Sequence, residues 1–150
     1  MVMKNKIYAA YGSNMNLEQM LHRCPGAKVI GVGQVENYKL TFRGRGNGVA
    51  NIERGQGSTV PIVLWEITAR CEKALDIYEG YPRLYVKRDI EVVTETGIII
   101  AMAYVMLKKY EKLPAEPSQY YLDIISDGYV DNEIPLGTLL EAVANNPKES

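Results

Sequence analysis

Between residues 29 and 108 one β-type run follows another, with a single helical pattern among them. Residues 29–34 are apolar and glycine-interrupted; residues 38–43 alternate Tyr38, Leu40 and Phe42 with Lys39, Thr41 and Arg43. Residues 49–52 and 60–67 read as further strands, separated by a turn at Gly55-Gln56-Gly57-Ser58. After one helix the series resumes at 84–93, turns at Thr96-Gly97 and ends in 98–108. This last run is apolar at nearly every position, which predicts a central strand buried on both faces. Within 84–93, Leu84, Val86, Ile90 and Val92 share a face opposite Tyr85, Lys87, Asp89 and Glu91. Arg88 is the misfit there, expected to pair with a carboxylate at the strand's exposed end. Strands in consecutive runs do not build a regular doubly wound sheet, in which strand and helix alternate. The predicted class is α+β: a mixed, strongly curled or barrel-like β-sheet with helices packed outside.

The helices announce themselves by spacing and caps. Leu17, Met20, Leu21 and Cys24 recur at i, i+3, i+4 and i+7 behind a capping box of Asn16 and Gln19, with Asn14 as the alternative cap. Thr68 caps a second helix to about Tyr78, ended by Gly80 in a left-handed cap and by Pro82. Ser118 caps a third through Asp127, with Gly128 as its terminator, and Pro135 opens a fourth. Residues 145–150 read as a frayed polar tail. Neither a repeat nor a dividing linker interrupts the 150 residues, so one domain, 1–150, is expected.

Composition narrows the partners. Charged residues make up 23% and the net charge is −1, which leaves no electrostatic footprint for nucleic acid or an acidic membrane. A small soluble molecule is the expected partner, and the oligomeric state is open. Residues 98–107 form the longest apolar run, too short to span a bilayer as a helix. Met1 to Lys6 lacks an apolar signal segment, so a cytoplasmic location is expected. Cys24 and Cys71, near Met20, Leu21 and Leu75, are expected to be a reduced, apolar pair. The one histidine, His22, has no second histidine or Cys-x-x-Cys nearby, and no metal site is expected. Eleven tyrosines against one phenylalanine fit either a tyrosine-rich core or a half-polar pocket.

Chemistry concentrates in two places. In Ile7-Tyr8-Ala9-Ala10-Tyr11-Gly12-Ser13-Asn14-Met15 an apolar strand stops at a glycine turn that opens the first helix. Unpaired N–H groups at such a turn, with the helix dipole behind them, make a cradle for a carboxylate or phosphate. The other glycine run, Gly44-Arg45-Gly46-Asn47-Gly48, has no Gly-Lys-Ser/Thr and no helix after it, and reads as a flexible β-connection. Arg43, Arg45 and Arg54 around it either steer an anion or form a solvated face. Serine or cysteine catalysis does not assemble, because His22 is the only candidate base and Gly-x-Ser-x-Gly is absent. Among the carboxylates Glu79 stands out, set among Tyr78, Tyr81, Pro82, Leu84 and Tyr85. Such a setting disfavours the charged form and moves a carboxyl toward the range of a general acid/base. A surface glutamate at a helix end is the alternative, and Asp76 is the competing carboxylate.

The string Tyr11-Gly12-Ser13-Asn14 resembles the first signature of the γ-glutamylcyclotransferase-like family. Leu75-Asp76-x-x-Glu79-Gly80, with Tyr85 on the strand that follows, resembles the second. Pro117-Ser118-x-x-Tyr121, with Gly128 further on, resembles the third. The three come in the family's order and span residues 8 to 135. One departure is Pro61-Ile62, where the family often has a glycine before the tryptophan. The resemblance implies an L-γ-glutamyl substrate cyclised to 5-oxoproline with release of an amine, without metal or cofactor. Glu79 would be the acid/base, Tyr11, Gly12, Ser13, Asn14, Tyr85 and Tyr121 the substrate-binding residues. The adjacent Tyr120 competes with Tyr121 for its place, and a packing role competes for Tyr121 itself. A non-catalytic module that binds a glutamate-like ligand is the alternative function.

Overall fold

The computed structural model describes residues 5–147. The consecutive β-runs pair into a closed barrel in the order β1-β3-β2-β4-β5. These strands are β1 (Lys6–Ala10), β2 (Lys28–Arg43), β3 (Val49–Ile67), β4 (Tyr85–Thr94) and β5 (Gly97–Met106). Strand β1 runs antiparallel to β3, from Lys6 opposite Ile67 to Ala10 opposite Val63. The wall closes where Tyr8 of β1 meets Met102 of β5 in parallel. Four helices complete this mixed α+β fold: α1 (Leu17–Arg23), α2 (Ala69–Tyr78), α3 (Gln119–Asp131) and α4 (Gly137–Asn145). Phe42, Ile52, Ile62, Leu64 and Ile67 from the strands join Leu75, Ile125 and Tyr129 from the helices in the core. Among the described residues no helix is long and apolar enough to cross a membrane.

Four of the predicted strands are two long ones. Residues 29–34 and 38–43 join in β2, and 49–52 and 60–67 join in β3, so the expected turn at Gly55–Ser58 does not end a strand. The reason is a bulge. The register shifts between Glu36 and Tyr38, and Asn37 sits at φ 64, a conformation asparagine tolerates. Its Oδ1 accepts the Gly57 N–H at 3.1 Å, so the backbone at the irregularity stays paired across the ribbon. The Gly44–Gly48 connection is likewise pinned rather than loose: Gly44 N–H donates to Leu113 O and Gly48 N–H to Glu116 O.

The helix caps form where the side chains require them. Asn16 Oδ1 accepts Gln19 N–H, Thr68 Oγ1 accepts Cys71 N–H and Ser118 Oγ accepts Tyr121 N–H. Gly80, at φ +65, terminates α2; Tyr81 N–H returns to Asp76 O and Gly80 N–H to Ile77 O, a Schellman arrangement. Gly128 is not a terminator, because α3 runs past it to Asp131. It is the point of closest approach to the first turn: a Cβ there would lie 2.8 Å from Asn16 N and 2.9 Å from Met15 Cβ. The fourth helix begins at Gly137, two residues beyond Pro135. Of the expected frayed tail, residues 148–150 lie outside the described part.

Four further expectations are corrected. Strand β5 is buried on both faces only in its second half; Ile98 and Ile100 are exposed, because β1 reaches it no earlier than Met102. On β4 the Tyr85 ring turns into the core, and Arg88 is exposed with no ion pair among the described residues. Cys24 and Cys71 are joined by a disulfide, not reduced. The end of α1 packs beside the start of α2 and brings their Cα atoms within 5.1 Å, a proximity hidden by 47 residues of chain. This removes free thiols as an argument for a reducing compartment.

Candidate functional site

At one end of the barrel a cavity of about 230 Å³ opens between the strand ends and the first turn. All seven residues singled out from the sequence line it: Tyr11, Gly12, Ser13, Asn14, Glu79, Tyr85 and Tyr121. They arrive from four directions. Strand β1 delivers the turn Gly12–Asn14, α2 ends at its C-cap Glu79, β4 starts at Tyr85, and α3 presents Tyr121.

The turn is a single 3-10 helix, Ser13–Met15, and it is held from three sides. Trp65 Nε1 of β3 donates to Asn14 O at 2.9 Å, which accounts for the only tryptophan. Asn132 Nδ2 of α3 donates to Met15 O, and Asn16 Nδ2 donates to Ile124 O. The turn's own bonds run from Met15 N–H to Gly12 O and from Asn16 N–H to Ser13 O. They leave the N–H groups at its start without an intrahelical partner, beside the Tyr121 hydroxyl.

Glu79 faces this turn. Burial holds its carboxyl well above the usual carboxylate range, up to about 7, against the opposing pull of the nearby Arg23 charge. Its place at the C-terminus of α2, the negative end of the helix dipole, works in the same direction as burial. Asn14 Nδ2 donates to its Oε1 at 3.3 Å. Asp76 has no such freedom. Lys87 Nζ donates to it at 2.9 Å and Tyr104 Oη at 2.6 Å, and it does not line the cavity. Tyr120 is likewise out of contention, 76% exposed on the outer face of α3.

Six tyrosines line the cavity, so the tyrosine excess is largely a property of the pocket. Burial holds the hydroxyls of Tyr8, Tyr11, Tyr85, Tyr104 and Tyr121 above their ordinary pKa, hence protonated at neutral pH. Their protons are committed differently. Tyr11 donates to Tyr104 O, Tyr85 to Ala50 O and Tyr104 to Asp76, so toward the cavity these three oxygens can only accept. Tyr121 Oη accepts the Ala50 N–H, and Tyr8 Oη accepts Asn14 Nδ2, so these two keep a proton to donate. The pocket therefore mixes acceptors, the Glu79 carboxylate and the Tyr11, Tyr85 and Tyr104 oxygens, with donors, the N–H groups of the first turn and the Tyr8 and Tyr121 hydroxyls.

Sequence reading set Tyr78 and Leu84 around Glu79 and missed Tyr8, Val49, Ala50 and Tyr104 as lining residues, although Tyr8 lies in the same run as Tyr11. It also missed Arg23, whose only local mark is its position one helical turn after Gln19. Of the arginines it did weigh, Arg43 is clamped to Glu53, Arg54 lies over the Tyr38 ring and Arg45 is exposed, and none of the three lines the cavity.

Comparison with known proteins matches residues 8–123 to the family model described as "Gamma-glutamyl cyclotransferase, AIG2-like". The chain is 32% identical over 139 residues to the gamma-glutamylcyclotransferase of Homo sapiens, covering 87% of this chain and 73% of that protein. To the protein of the same name from Bos taurus it is 31% identical over 139 residues, with the same coverage. A solved structure of a gamma-glutamyl cyclotransferase superposes with a TM-score of 0.83 at 29% identity, over 98% of this chain and 90% of the other.

Proposed function

The chain belongs to the gamma-glutamyl cyclotransferase, AIG2-like family and is an enzyme of that type, and from this premise we propose that it closes an L-γ-glutamyl group into 5-oxoproline, with Glu79 as general acid/base. The observation that carries the proposal is the Glu79 carboxyl, held up to about 7 inside a small cavity and opposite a turn of free N–H donors.

The pocket's polarity orients the substrate. An ammonium needs an acceptor, so the α-amino group sits against the Glu79 carboxylate. A carboxylate or a developing oxyanion needs donors, so it sits against Gly12–Asn14 and the Tyr121 hydroxyl. The cavity, about 230 Å³, is smaller than the roughly 300–1,000 Å³ of pockets for drug-sized ligands. It suits the glutamyl head, with the amine to be released at the mouth.

The reaction is intramolecular, and most of the work is holding the head group folded back on itself. Glu79 as carboxylate takes a proton from the α-ammonium. The freed amine attacks the γ-carbonyl carbon, and the new C–N bond closes a five-membered ring. The old C–N bond then breaks as Glu79 returns its proton to the leaving nitrogen. The attacking nitrogen loses two protons in all, and the leaving amine, which departs as an ammonium, gains two. One carboxyl poised near neutral pH can pass both in turn.

The test offers purified protein γ-glutamyl dipeptides, γ-glutamyl-ε-lysine and simple γ-glutamyl amines, with 5-oxoproline as the readout. Glu79→Gln is expected to lose on the order of 10²–10⁴-fold in kcat with its fold intact. Near wild-type turnover by that variant would remove Glu79 from the mechanism. Tight binding of a glutamyl ligand by wild type without any 5-oxoproline would favour a binding module instead.

A further inference from the structure

Arg23 closes α1, and its guanidinium spreads behind the first turn without lining the cavity. Nη1 donates to Asn14 Oδ1 and, at 3.3 Å, to Ser13 Oγ. Nη2 donates to Gln19 Oε1 at 2.7 Å and to Tyr78 Oη at 2.5 Å, and the guanidinium carbon lies 3.6 Å from the Tyr78 ring centroid. This fixation explains why the Gln19 side chain does not return to Asn16 to complete the capping box. It also decides which way the Asn14 amide points. A guanidinium offers only donors, so the amide must turn its oxygen to Arg23. Its nitrogen then has one direction left, toward Tyr8 Oη at 2.9 Å and Glu79 Oε1 at 3.3 Å. A flipped amide would set two donors against each other on one side and two acceptors on the other.

The consequence falls on Glu79. With an N–H group aimed at Oε1, a proton on that oxygen would meet a donor, so the proton belongs on Oε2. We propose that Arg23 is a positioning residue that locks the Asn14 amide and thereby makes Oε2 of Glu79 the atom that takes and returns the proton. This rests on the reading of Glu79 as the acid/base. Arg23 does not touch substrate; it acts through Asn14.

The charge of Arg23 has a second, separable effect. The hydroxyls facing Glu79 belong to Tyr8 on β1, Tyr11 just after it, Tyr85 on β4, Tyr104 on β5 and Tyr121 on α3, all neutral at pH 7. Asp76, on Glu79's own helix, is tied to Lys87. Arg23 is then the ionised group that favours the Glu79 carboxylate against burial.

The experiment measures kcat and KM against pH for wild type, Arg23→Gln, Arg23→Lys, Asn14→Ala and the double variant Arg23→Gln with Asn14→Ala. Glu79→Gln is run beside them, and thermal melting checks that each variant is folded. Wild-type kcat/KM should lose activity below about pH 7. In Arg23→Gln this acid limb should move up by about one pH unit, and kcat should fall on the order of 10–100-fold with little change in KM. Arg23→Lys keeps the charge but not the fork, so it should restore the position of the limb and not kcat. The double variant should be no slower than Asn14→Ala alone, because both changes cut the same connection. The proposal is overturned if Arg23→Gln keeps the kcat of wild type above the acid limb, or if the two losses multiply. Should Arg23→Gln fail to fold, Arg23→Lys decides alone, and wild-type kcat there overturns the proposal. The two readings fail separately. An active Glu79→Gln sinks the acid/base assignment, whereas an inactive one beside wild-type kcat in Arg23→Gln sinks only the role of Arg23.

Discussion

Glu53 and Glu79 each meet an arginine inside this molecule, and the two encounters end differently. Arg43 grips Glu53 directly, Nε to Oε2 at 2.8 Å and Nη2 to Oε1 at 3.0 Å, and Thr41 Oγ1 adds a third bond at 2.8 Å. The two side chains are 11% and 8% exposed, and neither oxygen of Glu53 is spare. Arg23 stays one residue away from Glu79, with the Asn14 amide between them, and among the described residues only Oε1 has a protein donor. A carboxylate saturated by charge-assisted bonds is a strut that joins β2 to β3. One with little water, one free oxygen and a cation at one remove is fit to carry a proton. The residue types are the same; the spacing sets the role.

That contrast can be broken in three ways. Glu53→Gln leaves Arg43 charged, buried and without its partner, and urea unfolding should record a loss of roughly 3–5 kcal/mol. Turnover per folded molecule should stay within a few-fold. Unchanged stability, or a collapse of turnover in the folded fraction, would mean that the two carboxylates do not differ in kind.

Glu79→Gln should act in the opposite direction on stability. The carboxyl titrates near 4.5 when unfolded and at about 7 when folded, so the folded state binds the extra proton between those values. Wild type therefore loses stability as pH rises from 4.5 to 7, and above that it bears the whole cost. At about 1.4 kcal/mol per pH unit this amounts to roughly 3 kcal/mol, absent at low pH. Glutamine cannot ionise, so the variant should melt above wild type at pH 8 and level with it at pH 4. A gap of the same size at both pH values would show that Glu79 is not held near 7.

The smallest effect comes from the support of the turn. Gly128→Ala would place a methyl group 2.8 Å from Asn16 N and 2.9 Å from Met15 Cβ. Overpacking of that kind costs about 1–3 kcal/mol. Because the strain falls on Met15 and Asn16, which directly follow Gly12–Asn14, KM should rise along with the lost thermal stability. A variant with unchanged KM would detach α3 from the site.

The contrast also marks which residues the sequence alone could single out. Glu79 could be picked out because its aromatic neighbours and Gly80 are adjacent in the chain. Arg23 could not, since its partners Asn14 and Tyr78 come from a turn before it and a helix 55 residues later. Arg43 drew notice for the glycine run beside it, and its true partner, ten residues on, faces it across the β2–β3 ribbon. Gly128 was read by the local rule for helix ends, while its position answers to the backbone of Met15 and Asn16 more than a hundred residues earlier.

Features that depend on a few neighbouring residues were therefore legible: the caps at Asn16, Thr68 and Ser118, the left-handed Gly80, the consecutive β-runs of an α+β fold and the strand-to-turn step at Tyr11–Asn14. Propensity, periodicity and capping act within about one helical turn or one strand, so the chain carries them in its local order. The bulge that fuses four β-runs into two, the disulfide between α1 and α2, the indole of Trp65 on Asn14 O and the amide between Arg23 and Glu79 belong to another scale. Each needs two segments set side by side by sheet register and helix packing, and no short-range pattern encodes which atoms then meet.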